Sequence, residues 1–216
     1  MQGTYPAPSQ RGGEQMADFI HSTDNELRQR LEFLITIDKM KSIYRQTLLT
    51  DKSRRETDAE HSWHIAVMAM LLAPYAPDGA DINRCVKMCL VHDLVEIYAG
   101  DTFCYDEKAG MDKEERERLA ADKLFSSLPK EDGDELRNLW IEFDKQETPD
   151  ALFCASLDRL QPFLHNMMTD GHTWRKGNVT KEQVLKRAGL IQQGIPAVWD
   201  MVSDMIDEAQ KKGYIS

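Results

Sequence analysis

The chain has 216 residues, 41% hydrophobic and 30% charged, with a formal net charge of −10. That length supports one domain with a full core. The acidic balance disfavours a nucleic-acid polymer as partner, and no apolar run approaches the roughly 18–20 residues that span a membrane.

Residues 1–16, "MQGTYPAPSQRGGEQM", lack an apolar signal-like core and are rich in Gly, Pro, Gln and Ser. They read as a flexible tail, leaving 17–216 as the domain. Leu27, Leu31, Leu34 and Ile37 predict a helix over 24–43, with caps available from Ser22 to Asp24. Asp58 is placed to cap a helix over 59–73 that Pro74 ends, and Asp81 one over 82–98 that Gly100 closes. Asp112 with Glu115 resembles a capping box for 113–128, and a partly polar helix follows over 131–146. Thr148 with Pro149 starts a helix over 149–168. Thr180 with Gln183 starts another, broken near Gly194 and Pro196 before a last one to Lys212. No alternating run carries hairpin chemistry. The expected fold is one compact all-α bundle of seven or eight helices.

Cys85, Cys89, Cys104 and Cys154 form no CxxC pair and no dense framework. A reducing, cytoplasmic setting is expected, with Cys85 and Cys89 as small core residues and Trp63 as core packing.

Polar groups interrupt the apolar stripes. His61 stands where a leucine would pack, in line with Ile65, Met68 and Leu72, and His92-Asp93 interrupt the next helix. Asp158 lies among Leu157 and Leu160 on a third. Buried imidazoles and carboxylates need partners, and two of each suit one borderline divalent cation. A buried hydrogen-bond network is the competing explanation. Pro162, four residues past Asp158, is expected to kink its helix and aim the carboxylate. Glu96 and Asp101 are spare carboxylates, available for proton transfer.

The stretches "RRETDAEHSWHIAVMAM", "VHDLVEIYAGD" and "SLDRLQPFL" together resemble the HD superfamily of metal-dependent phosphohydrolases. Within it the likeness is to the 5′-deoxynucleotidase and HD-domain-containing protein 2 group. The resemblance implies His61, His92, Asp93 and Asp158 as ligands of one divalent metal ion. It implies Glu96 in acid–base work and Asp101 in orienting water or sugar. It implies Arg45 as a nucleotide contact, with Arg54 and His64 as further substrate-side candidates. Mn²⁺ is the expected metal, with Co²⁺, Fe²⁺, Ni²⁺, Zn²⁺ or Mg²⁺ as alternatives. The expected activity is release of phosphate from (deoxy)nucleoside 5′-monophosphates, by a homodimer. Gln46 stands where the bacterial enzymes place a tryptophan that helps to select deoxyribose. Hydrolysis of a triphosphate or signalling nucleotide, or nucleotide binding without catalysis, are the other readings. A di-iron oxygenase is disfavoured, since residues 94–157 hold no histidine.

Overall fold

The computed structural model describes residues 24–105 and 112–216; the tail over 1–16 and the candidate cap Ser22 lie outside them. Asp24 caps α1 (Asn25–Ile37) by accepting from the Leu27 N–H. The helix stops short of the expected end, passing through a 3-10 turn (Asp38–Ser42) into β1 (Tyr44–Leu48). β1 pairs antiparallel with β2 (Arg55–Thr57), a hairpin the sequence reading did not expect. Strands of five and three residues are too short to establish a period-2 pattern.

β2 runs directly into α2 (Asp58–Leu71), and the cap is Thr57 rather than Asp58. Thr57 Oγ1 accepts from the Glu60 N–H, and Glu60 Oε2 accepts from the Thr57 N–H, a complete capping box. Asp81 caps α3 (Ile82–Val91) as expected. The single helix expected over 82–98 is broken: the chain turns at His92–Val95, and α4 (Glu96–Ala99) follows. Gly100, at φ +78°, then redirects the chain toward Asp101.

Asp112 makes no capping bond to α5 (Lys113–Phe125); its side chain accepts from Arg116 instead. α6 (Lys130–Lys145) leads to α7 (Pro149–Met168), capped by Thr148 and matching its expected bounds. α7 runs on through Pro162 without interruption. A short α8 (His172–Lys176) was not anticipated; α9 (Lys181–Gly194) and α10 (Trp199–Lys211) were. Among the described residues, eight helices have ten or more residues, so the chain is an all-α bundle with one small hairpin.

α7 is the central element. Phe153, Cys154, Ala155 and Leu157 are fully buried on it, and it packs against α2, α3, α6 and α9. α9 ends close against it: a Cβ on Gly194 would stand 2.4 Å from the Leu152 carbonyl oxygen and 2.2 Å from Ser156 Oγ. Only glycine fits that crossing. Cys85 and Cys89 are buried as expected. Trp63 is not core packing; it is 63% exposed, since it lies away from the α2 face that carries His61 and Ile65. No described helix is long and apolar enough to cross a membrane.

Candidate metal centre and its pocket

Three elements bring the polar intruders together against the middle of α7. His61 sits on the first turns of α2, where the capping box fixes the helix start. His92 ends α3, and Asp158 projects from the middle of α7. One ligating atom from each of His61, His92 and Asp158 lies within 4.8 Å of the others. Asp93 joins through Oδ2, 3.1 Å from His92 Nε2 and 3.9 Å from His61 Nε2.

The ring orientations follow from their outer partners. His92 Nδ1 is 2.9 Å from the Cys89 carbonyl, which only accepts, so Nδ1 carries the hydrogen. The His92 Nε2 is then left facing the cluster, with no hydrogen-bond partner among the described residues. His61 contacts two acceptors, Gln161 Oε1 at 3.1 Å from Nδ1 and Asp158 Oδ1 at 3.0 Å from Nε2. A neutral ring donates to only one. Burial, then the neighbouring Arg45 charge, pushes the His61 pKa down to about 4, so the ring stays neutral. One contact therefore sets lone pair against lone pair, an arrangement that a cation relieves. Two imidazoles with two carboxylates match the preferences of borderline divalent ions, so the residues fit such an ion.

With protein groups alone around it, His92 behaves oppositely. Burial favours its neutral form, but Asp93 and Asp158 outweigh burial and hold its pKa well above the usual 6.5.

Arg45, from β1, closes one side. Its Nη1 donates to Asp93 Oδ2 at 2.7 Å and lies 3.6 Å from Asp58 Oδ1. Beside it Asp58, Glu96 and Asp101 form a second carboxylate group within 4.8 Å of one another. Burial, then the charges of Asp93 and Asp58, hold Glu96 well above the ordinary carboxylate range. Burial and Asp93 likewise push Asp58 up to about 7, and burial raises Asp101. Such a group retains protons at neutral pH and can deliver one.

A cavity opens over both clusters. Asp93, Glu96, Asp101 and Asp158 line its floor, and Phe103, Tyr105, Phe143 and Trp174 its walls. Arg45, Lys113, Arg159 and Arg187 add positive charge. Gln46 also lines it, its Oε1 accepting from Lys176 Nζ at 3.0 Å. In the sequence, Tyr105 and Asp106 lie just past the helix end and are candidates for the cavity mouth; Tyr105 lines the cavity, and Asp106 lies outside the described residues.

Two sequence candidates fall elsewhere. Arg54 is exposed and pairs with Glu60 through both Nη atoms, along a groove with Lys41, Tyr44 and Trp63. His64 turns behind the centre, with Nδ1 3.3 Å from Gln161 Nε2. Sequence reasoning missed Asp58, taken only as a cap, and Arg187 on α9. It also missed Glu56, Gln161 and His165, although the spacing Asp158–Gln161–His165 marks one face of a helix.

Comparison with known proteins gives a consistent picture. A family model described as HD domain matches residues 37–199. The crystal structure of a predicted metal-dependent phosphohydrolase from Magnetospirillum magnetotacticum MS-1 superposes with a TM-score of 0.85 at 50% identity, covering 88% of this chain and 96% of that one. The 5′-deoxynucleotidase HDDC2 of Homo sapiens is 31% identical over 138 residues, 63% of this chain. That match spans 66% of the human protein, just under two thirds of its length. The PH0347 protein of Pyrococcus horikoshii OT3 shares the fold, with a TM-score of 0.56 at 21% identity, covering 81% of this chain and 99% of that one.

Proposed function

The chain belongs to the HD domain family, and from that premise we propose that it is a metal-dependent 5′-nucleotidase, releasing phosphate from (deoxy)nucleoside 5′-monophosphates. The observation that carries this reading is the convergence of the His61 and His92 Nε2 atoms on Asp93 and Asp158, beneath a cavity holding Arg45. The HDDC2 relative, named a 5′-deoxynucleotidase, supports the substrate class.

His61, His92, Asp93 and Asp158 would hold one divalent ion, Mn²⁺ in our reading. Bound there, such an ion lowers the pKa of a coordinated water and polarises a phosphoryl oxygen. Arg45 offsets charge on the equatorial phosphoryl oxygens. Glu96, kept protonated by its surroundings, gives its proton to the leaving 5′-oxygen. Asp101, at the turn after Gly100, orients the attacking water or the sugar. The aromatic walls receive the base and exclude solvent.

In the same reading the protein is a cytoplasmic homodimer. Support for the dimer comes from α1, whose Leu27, Leu31 and Leu34 are 45%, 37% and 58% exposed and form an apolar face that no other described residue covers.

The deciding experiment strips the protein with chelator and restores single divalent ions. Phosphate release is then followed across ribo- and deoxyribonucleoside 5′-monophosphates, triphosphates and signalling nucleotides. Metal-dependent phosphate from monophosphates is the expected result. Pyrophosphate or triphosphate as product would move the assignment to another nucleotide hydrolase. Binding without release would make the protein a nucleotide-binding module. The ratio of ribo to deoxy turnover reads out Gln46.

A further inference from the structure

Behind His61 lies a second buried polar cluster that the mechanism leaves unused. Glu56, His64 and His165 bring ligating atoms within 4.8 Å of one another, which by itself would suggest another cation site. Its centre is already filled. The Gln161 amide nitrogen lies 2.6 Å from Glu56 Oε1, 3.2 Å from His165 Nε2 and 3.3 Å from His64 Nδ1. A cation among those three would have to displace the amide.

The cluster has a direction. His165 Nδ1 is 3.1 Å from the Leu48 carbonyl, which only accepts, so Nδ1 bears the hydrogen and Nε2 a lone pair. The Gln161 NH₂ group therefore donates one hydrogen to His165 and the other to Glu56. Both partners fix the amide the same way round, and its Oε1 is left to face His61 Nδ1. An oxygen there accepts, so His61 must be the Nδ1–H tautomer. Its Nε2 lone pair is thereby aimed at Asp158 and the candidate metal position. Gln161 and His61 are both fully buried, so water cannot substitute for either bond.

We propose that Gln161 is a positioning residue of the metal centre, whose amide, clamped by Glu56 and His165, locks His61 in the tautomer and orientation that ligate the ion. This rests on the reading of the centre given above. Outer partners of ligating histidines typically change metal affinity by about 10–100-fold. His165 takes its bearing from the Leu48 carbonyl on β1, so the hairpin that carries Arg45 also helps to set His61.

The test uses Co²⁺ as probe on the full chain, with affinity measured by chelator competition. Gln161→Met keeps the side-chain length and removes the amide's hydrogen bonds to Glu56, His165 and His61. It is expected to weaken Co²⁺ binding about 10–100-fold and to alter the Co²⁺ absorption bands. The exchange Glu56→Gln with Gln161→Glu restores an acceptor to His61 and should recover most of the loss. Separately, ¹⁵N NMR of the chelator-treated parent should show His61 with hydrogen on Nδ1, a measurement independent of any variant's folding. Co²⁺ affinity of Gln161→Met within twofold of the parent, or hydrogen on His61 Nε2 in the parent, would overturn the inference and leave the metal centre standing. A parent that binds no divalent ion would overturn the centre itself, and this inference with it.

Discussion

Arg45 and Arg187 stand on opposite sides of one carboxylate: Arg45 Nη2 is 3.8 Å from Asp158 Oδ1, and Arg187 Nη2 is 3.8 Å from Asp158 Oδ2. The first guanidinium comes from β1 and the second from α9, so distant parts of the chain supply the pair. Arg45 is engaged with Asp93, whereas among the described residues Arg187 makes no side-chain hydrogen bond, only that long ion pair. Its donors are free for an anion in the cavity it lines.

Arg187→Ala is therefore expected to raise KM for a nucleoside monophosphate. A charge-assisted hydrogen bond of about 1.5–3 kcal/mol corresponds to about 10–150-fold. Metal content should be unchanged, and Arg187→Lys should recover part of the loss. Steady-state kinetics beside metal analysis checks this; an unaltered KM removes Arg187 from the substrate contacts.

Glu96→Gln keeps the shape of the side chain and removes its transferable proton. The variant should hold the metal as tightly as the parent while kcat falls by about 10²–10⁴. Asp93→Ala should instead lose both metal and turnover, because Asp93 touches His92 and Arg45 at once. A Glu96→Gln enzyme with parental kcat would exclude acid catalysis by this group.

Metal uptake should release a proton. Asp93 and Asp158 hold the His92 pKa well above 6.5 despite the burial that opposes the charge, so the ring is protonated at pH 7. Ligation needs its Nε2 lone pair, so binding expels that proton. Affinity then weakens by about tenfold for each pH unit below the His92 pKa and levels off above it. His61, pushed down to about 4, adds no proton in the neutral range. Calorimetry in buffers of different ionisation enthalpy measures the count; zero protons released at pH 7 would contradict it.

Thr57→Ala removes a cap at the root of the centre. The expected loss is about 0.5–2 kcal/mol, a fall in Tm of a few degrees for a domain of this size. Thr57→Ser should retain most of the stability. Thermal unfolding of the two variants side by side is the measurement.

The parts of this molecule readable in the sequence are those set by local chemistry. The caps Asp24, Asp81, Thr148 and Thr180 and the break at Pro196 mark the long helices because each satisfies or denies backbone groups close by. His61, His92, Asp93 and Asp158 stood out because burying them alone is costly. What escaped depends on distant partners. β1 and β2 are held by each other and by the start of α2, with little periodicity of their own. Gln161 and His165 look like ordinary polar residues on α7 until Glu56 and Leu48 are brought beside them from more than a hundred positions away. Arg54 illustrates the converse: it is near His61 in sequence, but Glu60 takes its guanidinium at the surface.

The hairpin gives the chain an unusual evolutionary constraint. Arg45 projects from one strand, the Leu48 carbonyl of the same strand orients His165, and Thr57 at the end of the other begins the helix that carries His61. Phosphate contact and ring geometry are thus mounted on a single small part. The connecting residues 49–54 can change in length without touching the chemistry, but a one-residue slip between the strands would invert the side on which Arg45 projects. Such a slip would also turn the buried Thr47, Glu56 and Thr57 off their faces, so it would disturb the phosphate contact, the His61 clamp and the α2 cap together.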